Sequence, residues 1–263
     1  GDLSPRAKSI LKNVALIACE DTRRSGQLLK SIESKVPLLS YHKHNCKSRI
    51  KKILEILAKD GSVALISDAG LPGISDPGEE LVKESRIKNH KVICIPGPCA
   101  ATTALVISGL PSERFCFEGF LPQKQSTRKK RLKEISEEER TTIIYESPHQ
   151  LTKLLKELIS SCEKDRPIQI ARELTKRYEE TIGKTLEEVI LYFEKNKPKG
   201  EFTLVLGGKP KIKNLVSESE AVNRLRILIN KGEKASEASR KIANETGYQK
   251  TWLYSKIHHK LDK

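Results

Sequence analysis

The sequence predicts an α/β protein in three parts: an α/β domain over residues 1–112, a second over 113–208, and a basic helical extension over 209–263. Three observations predict it. From Pro5 to Leu110, short apolar runs alternate with stretches of helical periodicity, the pattern of a parallel sheet covered by helices. The alternation stops at a joint over 109–114 and restarts at Phe115. After Gly207-Gly208 only helical periodicity remains.

Ser4 followed by Pro5 is a cap and first-turn proline, so a helix starts there with Ala7, Ile10 and Leu11 on its apolar face. Residues 14–18 read as a buried strand that runs into a polar cluster from Glu20 to Arg24. That cluster is either a strand-end site or a capped helix start, since acids suit a helix N-terminus. A strand over 36–40 precedes a helix carrying Ile50, Ile53, Leu54 and Leu57, closed by Asp60-Gly61. Next come a strand over 63–66, a Gly/Pro-rich loop to Gly78, a helix over 79–87 and a strand over 92–95. The loop 96–101 then leads into a small-residue helix ending at Ser108.

In the second part, strands are expected over 115–120, 141–145, 167–172 and 202–206, with helices over 124–135, 151–161 and 186–194. In the third, Ala221, Leu225 and Leu228 mark one helix, and 235–246 and 251–259 two more. The run 235–257 resembles a helix-turn-helix.

Lys and Arg number 49 against 34 acids, a net charge of +15 that favours a polyanionic partner. The tail from Lys209 carries thirteen Lys or Arg against six acids, nearly half of that excess. Lys124, Arg128, Lys129, Lys130, Arg131 and Lys133 put six cations on one predicted helix with no acid between them. This is an RNA-binding face or a merely solvated one, and strong salt dependence would distinguish the two. Aromatics are 5%, so recognition would rest on the backbone and shape of folded RNA more than on base stacking.

The six cysteines form no metal spacing and read as reduced thiols; His42 and His44 lack a third ligand, so no metal is expected. No apolar run reaches the ~18 residues of a membrane span, and a cytoplasmic protein is expected. Dinucleotide, P-loop, zincin and serine-hydrolase fingerprints are missing.

Chemistry concentrates at 63–78, VALISDAGLPGISDPG. A buried strand gives way there to Asp68 and a small-residue loop. In open α/β sheets such strand-end loops receive ligands, with the acid fixing a hydroxyl or amine. A plain surface turn is the alternative.

Six blocks together resemble one family: EDTR from Glu20, SDAGLPGISDPG from Ser67, PGPCAA from Pro96, FEGFLP from Phe117, YESPH from Tyr145 and ARELTK from Ala171. GEFTLVLGG from Gly200 is a seventh. The chain is similar over essentially its whole length to the ribosomal RNA small subunit methyltransferase I family of the tetrapyrrole methylase superfamily. The resemblance implies two domains with S-adenosyl-L-methionine in the cleft between them. It also implies methylation of a cytidine ribose 2′-oxygen in the decoding region of small-subunit ribosomal RNA, on the small ribosomal subunit, by a homodimer.

Asp68, Ala69, Gly70, Ile74, Ser75, Cys99, Ala100, Glu146 and Leu174 would then touch the cofactor. Glu146, Glu173 and Lys176 would be the catalytic candidates, and Arg23, Arg24, Lys124, Arg128, Lys129, Lys130 and Arg131 would meet RNA. A precorrin-type methyltransferase or a non-catalytic RNA-binding relative are the other readings. The basic helix and tail count against the first, since a small-molecule enzyme has no need of them, but not against the second. The sequence departs from the family at Cys99, where serine is usual, and at Gln150, where arginine is usual. The family's first strand and GTPIGN-like loop precede the GDLSP with which these residues open, so one sheet strand and part of the cofactor wall are expected to be absent.

Overall fold

The computed structural model describes residues 1–210 and 216–258. Its first sheet is parallel, in the order β2-β1-β3, from β1 (Leu16–Cys19), β2 (Leu38–Ser40) and β3 (Val63–Ile66). Strand β1 is central and buried at all four residues, which is why it reads as a continuous apolar run without alternation. Helix α1 (Pro5–Asn13) starts as expected, with Ser4 Oγ accepting the Ala7 N–H. Helix α2 (Thr22–Ser31) is capped by Asp21, so the polar cluster after β1 is a helix start that also sits at a strand end.

Helices α3 (Cys46–Leu57) and α4 (Glu79–Ile87) cover one face of this sheet, packing Ile50, Ile53, Leu54 and Leu81 against Leu16, Ala18 and Leu39. Leu11, Leu29 and Ile32 close the other face over Ile17.

Residues 92–95 do not form the expected strand. From Lys91 to Pro98 no backbone hydrogen bond is made among the described residues, and Val92 and Ile93 are exposed. A strand exists only as half of a ladder, and the outer edge of β3 pairs with nothing among these residues. Apolar composition cannot supply the missing neighbour.

The second sheet is mixed, in the order β4-β5-β8-β6-β7, from β4 (Phe115–Phe120), β5 (Thr141–Glu146), β6 (Ile168–Arg172), β7 (Glu180–Ile182) and β8 (Phe202–Leu206). Only the β4–β5 pairing is parallel; β8 runs against both its neighbours, so β4, β5 and β6 point the same way. Strand β7 was not expected; three residues carry too little alternation to signal a strand.

Side chains alternate across the sheet with period two. Ile144, Ile170 and Leu204 face α6 (Gln125–Glu137), α7 (Pro148–Ile159) and α8 (Leu186–Lys195), forming the largest core. Ile143, Ala171 and Val205 face the other way, onto Ala101, Ala104 and Leu105 of α5 (Ala100–Ser108). Helix α5 precedes the expected joint in sequence yet packs on the second sheet. Its alanines let it approach the strands closely enough to do so.

Behind this sheet Arg166 is fully buried, donating to the carbonyls of Ile135, Ser136 and Glu138 at the end of α6 and of Gly207 after β8. Helices α9 (Glu218–Asn230), α10 (Ala235–Thr246) and α11 (Lys250–His258) share a separate small core of Ala221, Leu225, Ala238, Ile242 and Leu253. Residue 259, the expected end of the last helix, lies outside the described residues. Among the described residues no helix is long and apolar enough to cross a membrane.

Candidate active site

A cleft of about 510 Å³ opens where the loop after β3, the start of α5 and the carboxyl ends of β4, β5 and β6 converge. Strand β8 runs antiparallel to β5 and β6, so its first residues, Phe202 and Thr203, arrive at the same end. The topology therefore gathers six distant stretches of sequence at one place. All nine positions expected to touch a cofactor line this cleft.

Backbone geometry explains the small residues. Gly70 has φ +84°, and a Cβ there would stand 3.4 Å from the Pro98 carbonyl, so a glycine lets the two loops meet. Ser75, Glu173 and Thr175 hold positive φ of 59°, 50° and 64° without being glycine. Such strain at a cleft persists only where surrounding contacts enforce it, and it gathers at functional sites.

The lining is acidic. Asp68 accepts the Asp21 N–H at 3.2 Å through Oδ1 and lies 3.7 Å from Arg24 through Oδ2. Asp76, which sequence reasoning did not single out, accepts a short hydrogen bond from Ser67 Oγ. Burial, reinforced by the charges of Asp68 and Glu201, pushes the Asp76 carboxyl above its ordinary value despite that bond. Its signal was the second acid of SDAGLPGISDPG.

Tyr145 opens the YESPH block, whose pattern alone gives it no role. Its hydroxyl accepts the Ala101 N–H at 3.0 Å, satisfying a first-turn donor of α5, and its ring meets Phe117 edge-on and Phe120 at a tilt. Burial pushes the phenol up to about 12, so it stays protonated and neutral.

The three catalytic candidates part company. Glu146 is buried in the cleft wall, with Oε1 accepting the Ser147 N–H. Lys176 also lines the cleft, its Nζ held 3.0 Å from Glu173 Oε1 and 2.9 Å from Glu201 Oε2. Partial burial would lower the ammonium's pKa, but the carboxylates of Glu201 and Glu173 outweigh it and the net shift is upward. That direction is opposite to the one a lysine base would need.

Glu173 is not part of the cleft lining. Its carboxylate anchors the Glu201 N–H and Lys176, and those two bonds, the backbone one first, hold it below the usual range. It is paired with Lys176, while the neighbouring Arg172 pairs with Glu180.

The expected RNA-binding residues also divide. Arg23 and Arg24 are exposed; Arg23 pairs with Asp21, whose carboxyl is drawn down to about 2 by that arginine. Lys124, Lys129, Lys130 and Arg131 are exposed, with Arg131 pairing to Glu118 and Glu134. Arg128, expected among them, is instead buried. It falls on the buried stripe of α6 with Leu132, Ile135 and Ser136, one residue away from a solvated lysine. A row of consecutive cations on a helix cannot all face outward. Among the described residues no cluster of potential metal ligands is present.

Residues 1–190 match the family model described as Tetrapyrrole (Corrin/Porphyrin) Methylases. A protein of Synechocystis sp. named Ribosomal RNA small subunit methyltransferase I is 45% identical over 97% of this chain and 91% of its own length. Proteins of the same name from Haemophilus influenzae and Bacillus subtilis are 41% and 40% identical. They cover 96% and 98% of this chain, and 90% and 89% of their own lengths. Among solved structures, a cobalt precorrin-4 methyltransferase of cobalamin biosynthesis aligns with TM-score 0.60 at 13% identity, covering 78% of this chain and 88% of its own. The methyltransferase CobJ aligns with TM-score 0.60 at 19% identity, covering 81% and 90%. At these identities the likeness is one of fold.

Proposed function

The chain belongs to the ribosomal RNA small subunit methyltransferase I family, a branch of the tetrapyrrole methylases, and from that membership we propose how its cleft works. It is an S-adenosylmethionine-dependent methyltransferase acting on small-subunit ribosomal RNA. The finer reading is transfer to the ribose 2′-oxygen of a cytidine in the decoding region, on the assembled small subunit, by a cytoplasmic homodimer. One observation carries the site: the positions to which the family resemblance assigns the cofactor converge on one cleft from separate strand ends.

The chemistry of the lining fits S-adenosylmethionine. Its sulfonium and ammonium charges suit Asp68 and Glu146, and its carboxylate suits Lys176. Backbone groups of the 68–75 loop and of Cys99–Ala100 can approach its adenosine where glycine and alanine leave room. The bound cofactor supplies an electrophilic methyl group on a sulfonium with a neutral leaving group.

The protein's remaining tasks are alignment of the 2′-hydroxyl and removal of its proton. Asp76 lines the cleft and is the acceptor we assign to that proton, its affinity for one raised by burial. Tyr145 closes the cleft as a neutral wall, and Lys176 stays charged. On the outer side of α6, Lys124, Lys129, Lys130 and Arg131 present cations for RNA phosphates. Exposed Val106 and Ile107 on α5 and Phe115 and Phe117 on edge strand β4 offer apolar surface for a second copy.

The reading is tested by incubating the chain with labelled S-adenosylmethionine and small subunits that lack the modification. Label should enter the RNA at a nucleotide whose 3′ linkage resists alkali. Lys129→Glu/Lys130→Glu should weaken subunit binding and reduce the slope of log affinity against log salt by roughly two. Label on the base, or affinity indifferent to salt, would refute the ribose and phosphate parts respectively.

A further inference from the structure

Arg128 stands behind the cleft wall where a surface cation was expected. Its side chain is 4% exposed and faces two carboxylates from two other elements. Nε donates to Glu157 Oε2 of α7 at 2.8 Å. Nη2 lies 2.8 Å from that same oxygen without hydrogen-bond alignment and 3.7 Å from Oε2 of Glu146. Glu146 is itself 6% exposed, at the last residue of β5, with its other oxygen on the Ser147 N–H.

A carboxylate removed from water this far is costly unless a cation offsets it, and removing one partner of such a pair leaves the other charge uncompensated. Arg128 is the cation that faces Glu146 from the core side, and Glu157 fixes its orientation. The fork geometry matters, because a planar guanidinium can engage one acid through Nε while directing Nη2 at a second.

We propose that Arg128 is a positioning residue that holds the Glu146 carboxylate in place and aimed at the cofactor cleft. This rests on the reading of that cleft as the S-adenosylmethionine site. Arg128 is not itself part of the cleft lining and is buried away from the exposed lysines of α6; it acts through Glu146. Buried groups that lock the geometry of a binding carboxylate set its precision, since a first contact is only as well placed as the side chains supporting it. The arginine of this helix and the exposed lysines beside it thus do different work on opposite sides of α6.

The test measures the dissociation constant of S-adenosylmethionine by titration calorimetry for wild type, Arg128→Gln, Arg128→Lys, Glu146→Gln and the Arg128→Gln/Glu146→Gln pair. Urea stability is measured alongside. Arg128→Gln should weaken binding about tenfold, Arg128→Lys distinctly less, and the double variant no more than Glu146→Gln alone, because both changes act at one carboxylate. Leu132→Ala, one turn along the same buried stripe, should lose stability while keeping wild-type affinity.

Multiplying effects in the double variant would overturn the proposal. So would unchanged affinity in Arg128→Gln, or a loss in Leu132→Ala equal to that of Arg128→Gln. If Arg128→Gln does not fold, Arg128→Lys combined with Glu146→Gln closes the same cycle. Wild type that binds no S-adenosylmethionine would instead defeat the reading of the cleft, and the proposal with it.

Discussion

Replacing Arg166 by methionine should remove about 4 kcal/mol from the stability of the second sheet. The side chain is fully buried and donates to four carbonyls: Gly207 at 2.8 Å, Ser136 at 2.7 Å, Glu138 at 3.0 Å and Ile135 at 3.2 Å. Two of these have a second donor, since Glu138 O also receives the Lys209 N–H and Ile135 O the Glu138 N–H. Methionine therefore orphans Ser136 O and Gly207 O. Each unpaired buried carbonyl costs roughly 1–3 kcal/mol. The cation also lies at the C-terminal end of α6, where positive charge is favourable by up to about 1 kcal/mol.

The assay is urea denaturation, with native-state hydrogen exchange on α6 and β8 to assign the loss to this region. Arg166→Lys should fall between, because one ammonium cannot reach both ends of the span the guanidinium bridges. A loss below about 1 kcal/mol for methionine, or none for lysine relative to wild type, would refute the account of Arg166 as the group that joins α6 to β8.

Two further outcomes follow from the site. Gly200→Ala adds a Cβ 2.6 Å from Glu173 Cγ at φ +88°; the glutamate must swing away and release the Glu201 N–H and Lys176. Backbone strain of ~1–2 kcal/mol plus about 1 kcal/mol for the lost backbone bond predicts a stability loss near 2–3 kcal/mol, with a raised KM for S-adenosylmethionine. A stable variant with wild-type KM would contradict it.

Asp76→Asn should cut kcat at least a hundredfold while raising the urea midpoint of the cofactor-free protein at neutral pH. The sign follows from the raised pKa of Asp76 in the fold. The fold favours its protonated form, so that contribution to stability is present below the unfolded-state pKa and lost as pH rises from there through the raised native value. Asparagine removes the destabilising charge at neutral pH, so the gain should shrink as pH falls; a gain that is flat with pH would refute the burial argument.

The strands and helices that pack their own apolar patterns were legible from sequence. The run at 63–66, the cap at Ser4, the strand expected at 141–145 and the helix at 235–246 all state their structure locally, because composition, periodicity and capping act within a few residues. The motif blocks likewise named Asp68, Gly70, Cys99, Glu146 and Leu174 as one group, and the cleft gathers them.

Which face a side chain takes and which element it finally meets are long-range facts. Residues 92–95 carry a strand's composition without a ladder partner, and α5 joins the second sheet because its alanines fit there. Arg128 looked like one more cation in a basic run until the turn of α6 buried it between Glu146 and Glu157. Local chemistry thus determined the elements and the candidate loops. Only packing decided which charges meet water and which must be neutralised inside, because burial depends on neighbours remote in the chain.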